Sequence, residues 1–169
     1  TASKLDDEKR LGEILDEMRS RSRMRLEGAS HSAAVARACS YFSPVRAFDD
    51  MTGGIEYFHF LEKTADAYSK DEKFRKELVR KLKETAEKLF AADNLMVGYT
   101  ADEEGYKALP EELKKFKAAL SDKPSRRYTF EFVPELKNEG FKTSSKVNYV
   151  ARCGSFDAEA YTGALEVLK

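Results

Sequence analysis

Apolar and polar positions follow the period of an α-helix along most of the chain. Near the start, the apolar side chains recur every three or four residues: Leu11, Ile14, Leu15 and Met18. This spacing predicts an amphipathic helix that runs to about Leu26 and begins at the box-like pair Ser3 and Asp6. The stretch 28–30 follows, and it either interrupts this helix or lies inside a continuous one.

Two further amphipathic helices are predicted in the middle of the chain. Pro44 should break the chain, and the turn-rich stretch 49–54 should lead into a helix capped by Thr52. Ser69 and Glu72 form a capping box that should open the next helix. The apolar stripes of these two helices are Ile55, Phe58, Leu61 and Ala65, then Phe74, Leu78, Leu82, Ala86 and Leu89.

The last third of the chain changes towards the period of a β-strand. The apolar stretch 95–100 and the alternating stretches 129–132 and 147–151 predict three strands. Pro110, followed by two glutamates, predicts the first turn of a helix, and Asp157 should cap a final helix. The sequence therefore predicts an α+β fold, rich in helices and with a few strands.

The shift in periodicity also predicts how the chain is divided. Residues 1–121 should form a helix-rich unit, residues 122–144 a linker and entry loop, and residues 145–169 the opening strand and helix of a second unit. That second unit is too short to close a core of its own. We therefore expect the chain to be a piece of a longer protein.

Charge and composition argue against two classes of partner. Lys and Arg total 30, as do Asp and Glu, whereas nucleic-acid-binding proteins normally carry a basic excess on one face. The alternating arginines at 19–25 would spread around a helix rather than form one stripe. No apolar run reaches the roughly 18 residues that a transmembrane helix needs. We expect neither a nucleic acid nor a membrane as partner.

Candidate chemistry is sparse. Cys39 and Cys153 are too few for a disulfide framework, and we expect thiols in a reducing compartment, the cytoplasm. His59, Glu62 and Lys63 match the inverted zinc motif H-x-x-E-H except at its last position, where a lysine replaces the second histidine. A protonated lysine repels a divalent cation. We therefore predict no catalytic residue and no metal ligand in this chain.

Several blocks of the sequence resemble one protein family. They are residues 23–34, 40–44, 51–57, 138–141, 147–151 and 154–156. In this order they are similar to the presequence-protease branch, which includes falcilysin, of the insulinase–pitrilysin superfamily. The resemblance marks six positions as structural signatures of the family: Gly28, His31, Thr52, Gly53, Gly54 and Tyr149.

The resemblance implies a large zinc-dependent metalloendopeptidase that degrades unstructured peptides in a chamber between two halves, each built of two related α+β domains. This chain would be the back of the third domain and the front of the fourth. It would contribute chamber wall and domain packing, and its partners would be the other domains of its own chain. The zinc of the parent would be held elsewhere, and substrate-binding positions stay unknown. The alternative is a stand-alone helical module that binds other proteins.

Overall fold

The computed structural model describes residues 4–124, 128–133, 135–144, 146–155 and 163. Its regular structure is helical. The elements, in chain order, are α1 (Glu8–Gly28), α2 (Ser30–Ser40), α3 (Pro44–Gly53), α4 (Ile55–Lys70), α5 (Glu72–Leu89), a short 3-10 turn (Ala92–Asn94) and α6 (Glu103–Ala118).

The predicted α+β fold is wrong for the part of the chain that the structure describes. The stretches 95–100, 129–132 and 147–151 are irregular, and β-type pairing is limited to an isolated bridge between Ala91 and Ser121. Alternation favours an extended backbone, but a strand also needs a neighbouring strand to complete its hydrogen-bond ladder. These stretches have no such neighbour among the described residues. The helix predicted after Asp157 lies outside the described residues.

The junction between α1 and α2 resolves the alternatives left open by the stretch 28–30. Ala29 leaves the helical conformation, with φ of −129° and ψ of 44°, so the two helices are separate. At the other end of α1, the carboxylate of Asp7 accepts a hydrogen bond from the backbone of Arg10 at 2.9 Å. An aspartate before a helix is a common N-cap, because its side chain satisfies a free N–H. The predicted Ser3 lies outside the described residues.

The predicted break at Pro44 is instead the start of helix α3. Ser43 is its N-cap and accepts a hydrogen bond from the backbone of Arg46, and Pro44 occupies the first turn. Proline suits that position because its missing N–H would have no partner there and its φ is already helical. The stretch 49–54, predicted as turns, therefore forms the second half of α3 and the junction with α4.

Two other predicted helix starts are wrong by a few residues. Asp71, rather than Ser69, caps α5: its carboxylate accepts hydrogen bonds from the backbones of Lys73 and Phe74 at 2.8 and 3.3 Å. Asp102 caps α6, so Pro110 lies inside that helix rather than in its first turn. In both cases an aspartate, whose short carboxylate reaches the first free N–H groups, fixes the start.

The described chain forms two compact units that each combine distant parts of the sequence. The first unit comprises Thr1–Leu11 and Lys70–Phe130, and the second comprises Gly12–Ser69 and Glu131–Lys169. In the first, Ala91 is buried and the backbones of Ala92 and Phe90 bond to Ser121 at 2.9 and 3.0 Å. This division is one of compactness, and the homologous-domain boundaries at 121 and 144 stay a prediction.

The second unit holds most of the buried apolar side chains. Ile55, Leu61, Ala65 and Tyr68, all on α4, are 2–7% exposed. Gly12 of α1 lies against the Tyr68 ring, where an added Cβ would sit 3.5 Å from a ring carbon. Helix α4 is therefore the centre of this unit, and its inward stripe agrees with the apolar spacing of the sequence.

Candidate functional site

The second unit contains a cluster of ionised side chains centred on Arg37. Arg37 lies on α2 and is 14% exposed. Its guanidinium contacts Asp50 at 2.5 Å and Glu56 at 3.5 Å, and it donates two bonds to the carboxylate of Glu139, at 2.8 and 3.0 Å. Such fork-like pairing is geometrically specific because both planar groups must be aligned. One cation therefore joins α2, the α3–α4 junction and a residue 102 positions further along.

Tyr41 completes the Arg37 cluster. Its ring lies beneath the guanidinium of Arg37, 5.2 Å from the ring centroid, and its hydroxyl donates to the Glu139 carboxylate. A cation above an aromatic face is attracted by the electron-rich ring. The cluster thus holds Glu139 from two sides, through a guanidinium and a phenol.

The pKa values in this cluster record how firmly its ions are held. The hydrogen bonds from Arg37 lower the pKa of Glu139 from 4.5 to about 2, and the same pairing raises the pKa of Arg37. Burial and the bond to Glu139 raise the pKa of Tyr41 to about 12. Every shift favours the protonation state already present near neutral pH. The cluster is therefore built to hold parts of the chain together rather than to exchange protons.

The junction of α3 and α4 depends on Asp50, which is 5% exposed. One carboxylate oxygen binds Arg37, and the other accepts a hydrogen bond from the backbone of Ile55 at 2.9 Å, the first residue of α4. Asp50, not the predicted Thr52, therefore caps α4. The Thr52 hydroxyl instead donates back to the carbonyl of Phe48 at 2.9 Å, inside α3.

Two glycines lie at this junction. A Cβ on Gly54 would stand 2.2 Å from the Asp50 carboxylate and 2.8 Å from its Cα, so only glycine fits there without displacing the backbone. The carbonyl of Gly53 accepts a hydrogen bond from the guanidinium of Arg25 on α1. The signature residues Gly53 and Gly54 therefore lie where three helices of the unit meet.

An extended stretch of chain contacts the helices of the second unit at several points. We call residues 135–144 and 146–155 the C-terminal segment. Besides Glu139, its contacts join Phe141 to His59, with ring centroids 6.0 Å apart, and Tyr149 to His31, with centroids 5.8 Å apart. The signature residues His31 and Tyr149 thus meet although they lie far apart in sequence. Gly28, the other signature residue, ends α1, and no other group would lie within 4 Å of an added Cβ.

The histidines do not fit a zinc site of the kind that the resemblance implies for the parent. His59 lies beside the rings of Phe58 and Phe141, and Glu62 binds Arg23 at 2.8 Å. No group of three or more His, Cys, Asp or Glu side chains is arranged to hold a metal ion within the described residues. A site with fewer than three protein ligands does not match the zinc centres of hydrolases.

The first three arginines of the run at 19–25 pair with acidic side chains. Arg19 pairs with Asp16 and Asp66, Arg21 with Glu17, and Arg23 with Glu62. Paired cations spread around a helix do not form the continuous basic face that binds phosphates. Separately, none of the described helices is long and apolar enough to cross a membrane.

Sequence reasoning missed the residues at the centre of this arrangement: Arg37, Asp50 and Glu139. Arg37 lies in an alanine-rich stretch and Asp50 in a stretch predicted as a turn. Glu139 belongs to one of the family-like blocks, and this was the one available signal for it. The pairing itself could not be found, because an ion pair 102 residues apart leaves no local pattern.

Comparison with known proteins places these features in a family context. Residues 1–63 match the family described as associated with metallopeptidases of family 16, subfamily C. Over 167 residues the chain is 28% identical to "Protein HypA" of Clostridium perfringens, covering 98% of this chain and 17% of that protein. Over 156 residues it is 26% identical to "Presequence protease 1, chloroplastic/mitochondrial" of Arabidopsis thaliana, covering 92% of this chain and 14% of that protein.

The chain thus spans about a sixth of the length of these curated relatives. No solved structure matches it. The family match covers the N-terminal blocks, and the relatives extend the similarity through the C-terminal blocks. These matches confirm the resemblance of the chain to the presequence-protease branch of the insulinase family of peptidases.

Proposed function

We propose that this chain is a non-catalytic part of a longer zinc-dependent metalloendopeptidase that degrades unstructured peptides. In this role it forms wall of the peptide chamber and packs against the other domains of its own chain. The similarity to peptidase relatives several times its length supports the proposal. The closed ion cluster around Arg37 supports it too, because that cluster joins elements instead of presenting a reactive group.

The observation that carries the proposal is the balance of buried and exposed apolar side chains. Five apolar residues in the described chain are buried, whereas more than twenty large ones are exposed. Val45, Phe48 and Met51, which we call the α3 face, lie on one side of α3 and are 51–66% exposed. Contiguous exposed apolar surface usually marks a contact with another part of a protein. The α3 face therefore suits packing against a further domain.

The remaining assignments follow from this role. The domain boundaries at 121 and 144 belong to the proposal, with 1–121 as the back of one homologous domain and 145–169 as the front of the next. Zinc belongs to the parent, and the six signature positions serve packing. A cytoplasmic location is proposed on the strength of the two cysteine thiols.

The test compares this chain with the protein encoded by its complete reading frame. Each is purified, checked for helical far-UV circular dichroism, and assayed for bound zinc and for hydrolysis of a quenched fluorescent, unstructured peptide. We expect the longer protein to contain an H-x-x-E-H motif, to bind about one zinc ion and to cut the peptide, since a catalytic zinc site needs three protein ligands and an activated water. The folded chain should do neither.

Two results would overturn the proposal. One is zinc-dependent hydrolysis by the folded chain alone, which would make it catalytic. The other is a reading frame without a zinc motif whose product captures a separate protein through the α3 face, which would favour the stand-alone interaction module.

A further inference from the structure

The two cysteines of the chain meet in the second unit although they are 114 residues apart. Cys39 lies next to the last residue of α2, and Cys153 lies near the end of the C-terminal segment. Their sulfur atoms are 3.0 Å apart, and both residues are half-buried. A disulfide has a sulfur–sulfur distance of about 2.05 Å. A movement of about 1 Å by two side chains therefore separates this contact from a covalent bond.

The contact does not depend on the cysteines alone. The same segment is fixed to α2 by the pairing of Glu139 with Arg37 and by the ring contact of Tyr149 with His31. Tyr149 shortly precedes Cys153 in the sequence. Both sulfur atoms are thus brought together by contacts that exist without a bond between them, which raises the effective concentration of one thiol at the other.

We propose that Cys39 and Cys153 form a reversible disulfide that fastens the C-terminal segment to α2. In a reducing environment the two residues remain thiols, and exposure to a small-molecule disulfide closes the bond. The inference stands on this contact alone and does not depend on the proposed function.

The reaction is an exchange between thiols and a low-molecular-weight disulfide such as oxidised glutathione. One cysteine thiolate attacks a glutathione sulfur, forms a mixed disulfide and releases the first glutathione thiolate. The other cysteine thiolate then attacks the protein sulfur of that mixed disulfide and releases the second. Two cysteine thiols are oxidised, one glutathione disulfide is reduced to two thiols, and the two cysteine protons end on the released glutathione.

The surroundings of Cys39 set the direction of the pH dependence. The hydrogen bond with Cys153, together with burial, raises the pKa of Cys39 above its ordinary value, and nearby Arg46 opposes this shift. Because the thiolate is the attacking species, the exchange should accelerate as pH rises above neutrality. The pair is therefore suited to slow closure under oxidising conditions.

The experiment uses the complete 169-residue chain, first reduced and then equilibrated in a buffer rich in oxidised glutathione. Free thiols are alkylated, and the protein is digested without reduction and mapped by mass spectrometry. We expect both alkylation sites to disappear and one linked peptide pair, containing Cys39 and Cys153, to appear in a monomer. The cross-link should raise the midpoint of thermal unfolding by on the order of 10 °C, because it restricts a long loop in the unfolded chain.

Single variants provide the matched control. Cys39→Ser and Cys153→Ser should each leave one thiol, which takes up glutathione as a stable mixed disulfide and shows no rise in the midpoint. Persistent mixed disulfides on both cysteines of the parent chain, linkage into dimers, or two thiols that survive oxidation would each refute the proposal. Since the peptide map is read on the unsubstituted chain, the result stands even if a variant fails to fold.

Discussion

At the residue scale, the ion pairs differ in what they connect. Those on α5 follow the surface of a single helix: Arg80 pairs with Glu77 at 2.6 Å and with Glu84, and the Arg80 side chain is 54% exposed. Arg37 is 14% exposed and binds Asp50 and Glu139, which belong to distant parts of the chain. Exposed pairs contribute little, but a buried charge that loses its partner is costly. The two arginines therefore give a matched comparison.

We predict that Arg37→Met lowers the free energy of unfolding by about 2–4 kcal/mol, because Asp50 is left buried without its counter-ion. Urea denaturation followed by circular dichroism measures this change. Arg80→Met, which removes an equally well-paired arginine from an exposed surface, should leave the urea midpoint nearly unchanged. Equal effects of the two substitutions would show that the Arg37 cluster does not hold the unit together.

A second residue-scale prediction concerns Gly54. Gly54→Ala should cost about 1–3 kcal/mol, because the new Cβ would collide with the backbone and carboxylate of Asp50. Gly28→Ala is the control: it adds the same methyl group at the end of α1, where no other group lies within 4 Å. Alanine favours helix there, so that variant should be unchanged or slightly more stable. Urea midpoints that fall equally for both would contradict the close approach at Gly54.

At the scale of elements, the helices present two kinds of apolar surface. Helix α4 directs Leu61, which is 2% exposed, into the core of the second unit. Helix α3, which is only 10 residues long, leaves Phe48 56% exposed. Short helices derive their stability from packing more than from intrinsic propensity. The α3 face is therefore the part of the unit that a further domain would cover.

We predict that Phe48→Glu changes the isolated chain little, within about 0.5 kcal/mol of unfolding free energy, because the side chain is largely solvated. Binding of the dye ANS should fall as apolar surface is removed. Leu61→Ala, the buried counterpart, should cost about 2–5 kcal/mol. In the longer protein, Phe48→Glu should lower the thermal midpoint. A large loss of stability in the isolated chain would show that Phe48 belongs to its own core.

At the scale of the whole molecule, the second unit is closed by contacts of long sequence separation. The C-terminal segment contacts residues far before it in the sequence, through Glu139, Phe141, Tyr149 and Cys153. Such contacts require a large loss of chain entropy before they form. Charge pairing at Glu139 offsets part of that loss, so the closure of the unit should respond to pH.

We predict that the chain loses stability in acid partly through Glu139. Its pKa is lowered from 4.5 to about 2 in the folded state, so its contribution is complete above the ordinary value and disappears as pH falls from about 5 to about 2. Urea midpoints measured across this range should fall less steeply for Glu139→Gln than for the parent chain. Glu135→Gln, on the same segment, is the control and should keep the parent slope. Identical slopes for all three would contradict the role of Glu139.

The sequence by itself determined most of the helices and the family. Apolar spacing predicted α1, α4 and α5 because it repeats within one turn of helix and needs no distant partner. Errors of a few residues at α5 and α6 came from aspartates that competed with the predicted caps, and Pro44, predicted as a break, begins a helix. The signature blocks indicated the insulinase-type peptidases, a resemblance that the family and relative matches confirmed.

Only the tertiary structure decided which stretches pair and which side chains meet. Alternation at 129–132 and 147–151 could not reveal that no neighbouring strand is present in the described chain, because a β-ladder is a property of two segments. The bonds of Arg37 with Glu139 and the contact of Cys39 with Cys153 join positions more than a hundred residues apart. Local patterns carry information about neighbours along a helix, whereas these contacts are set by how the helices fold back on one another.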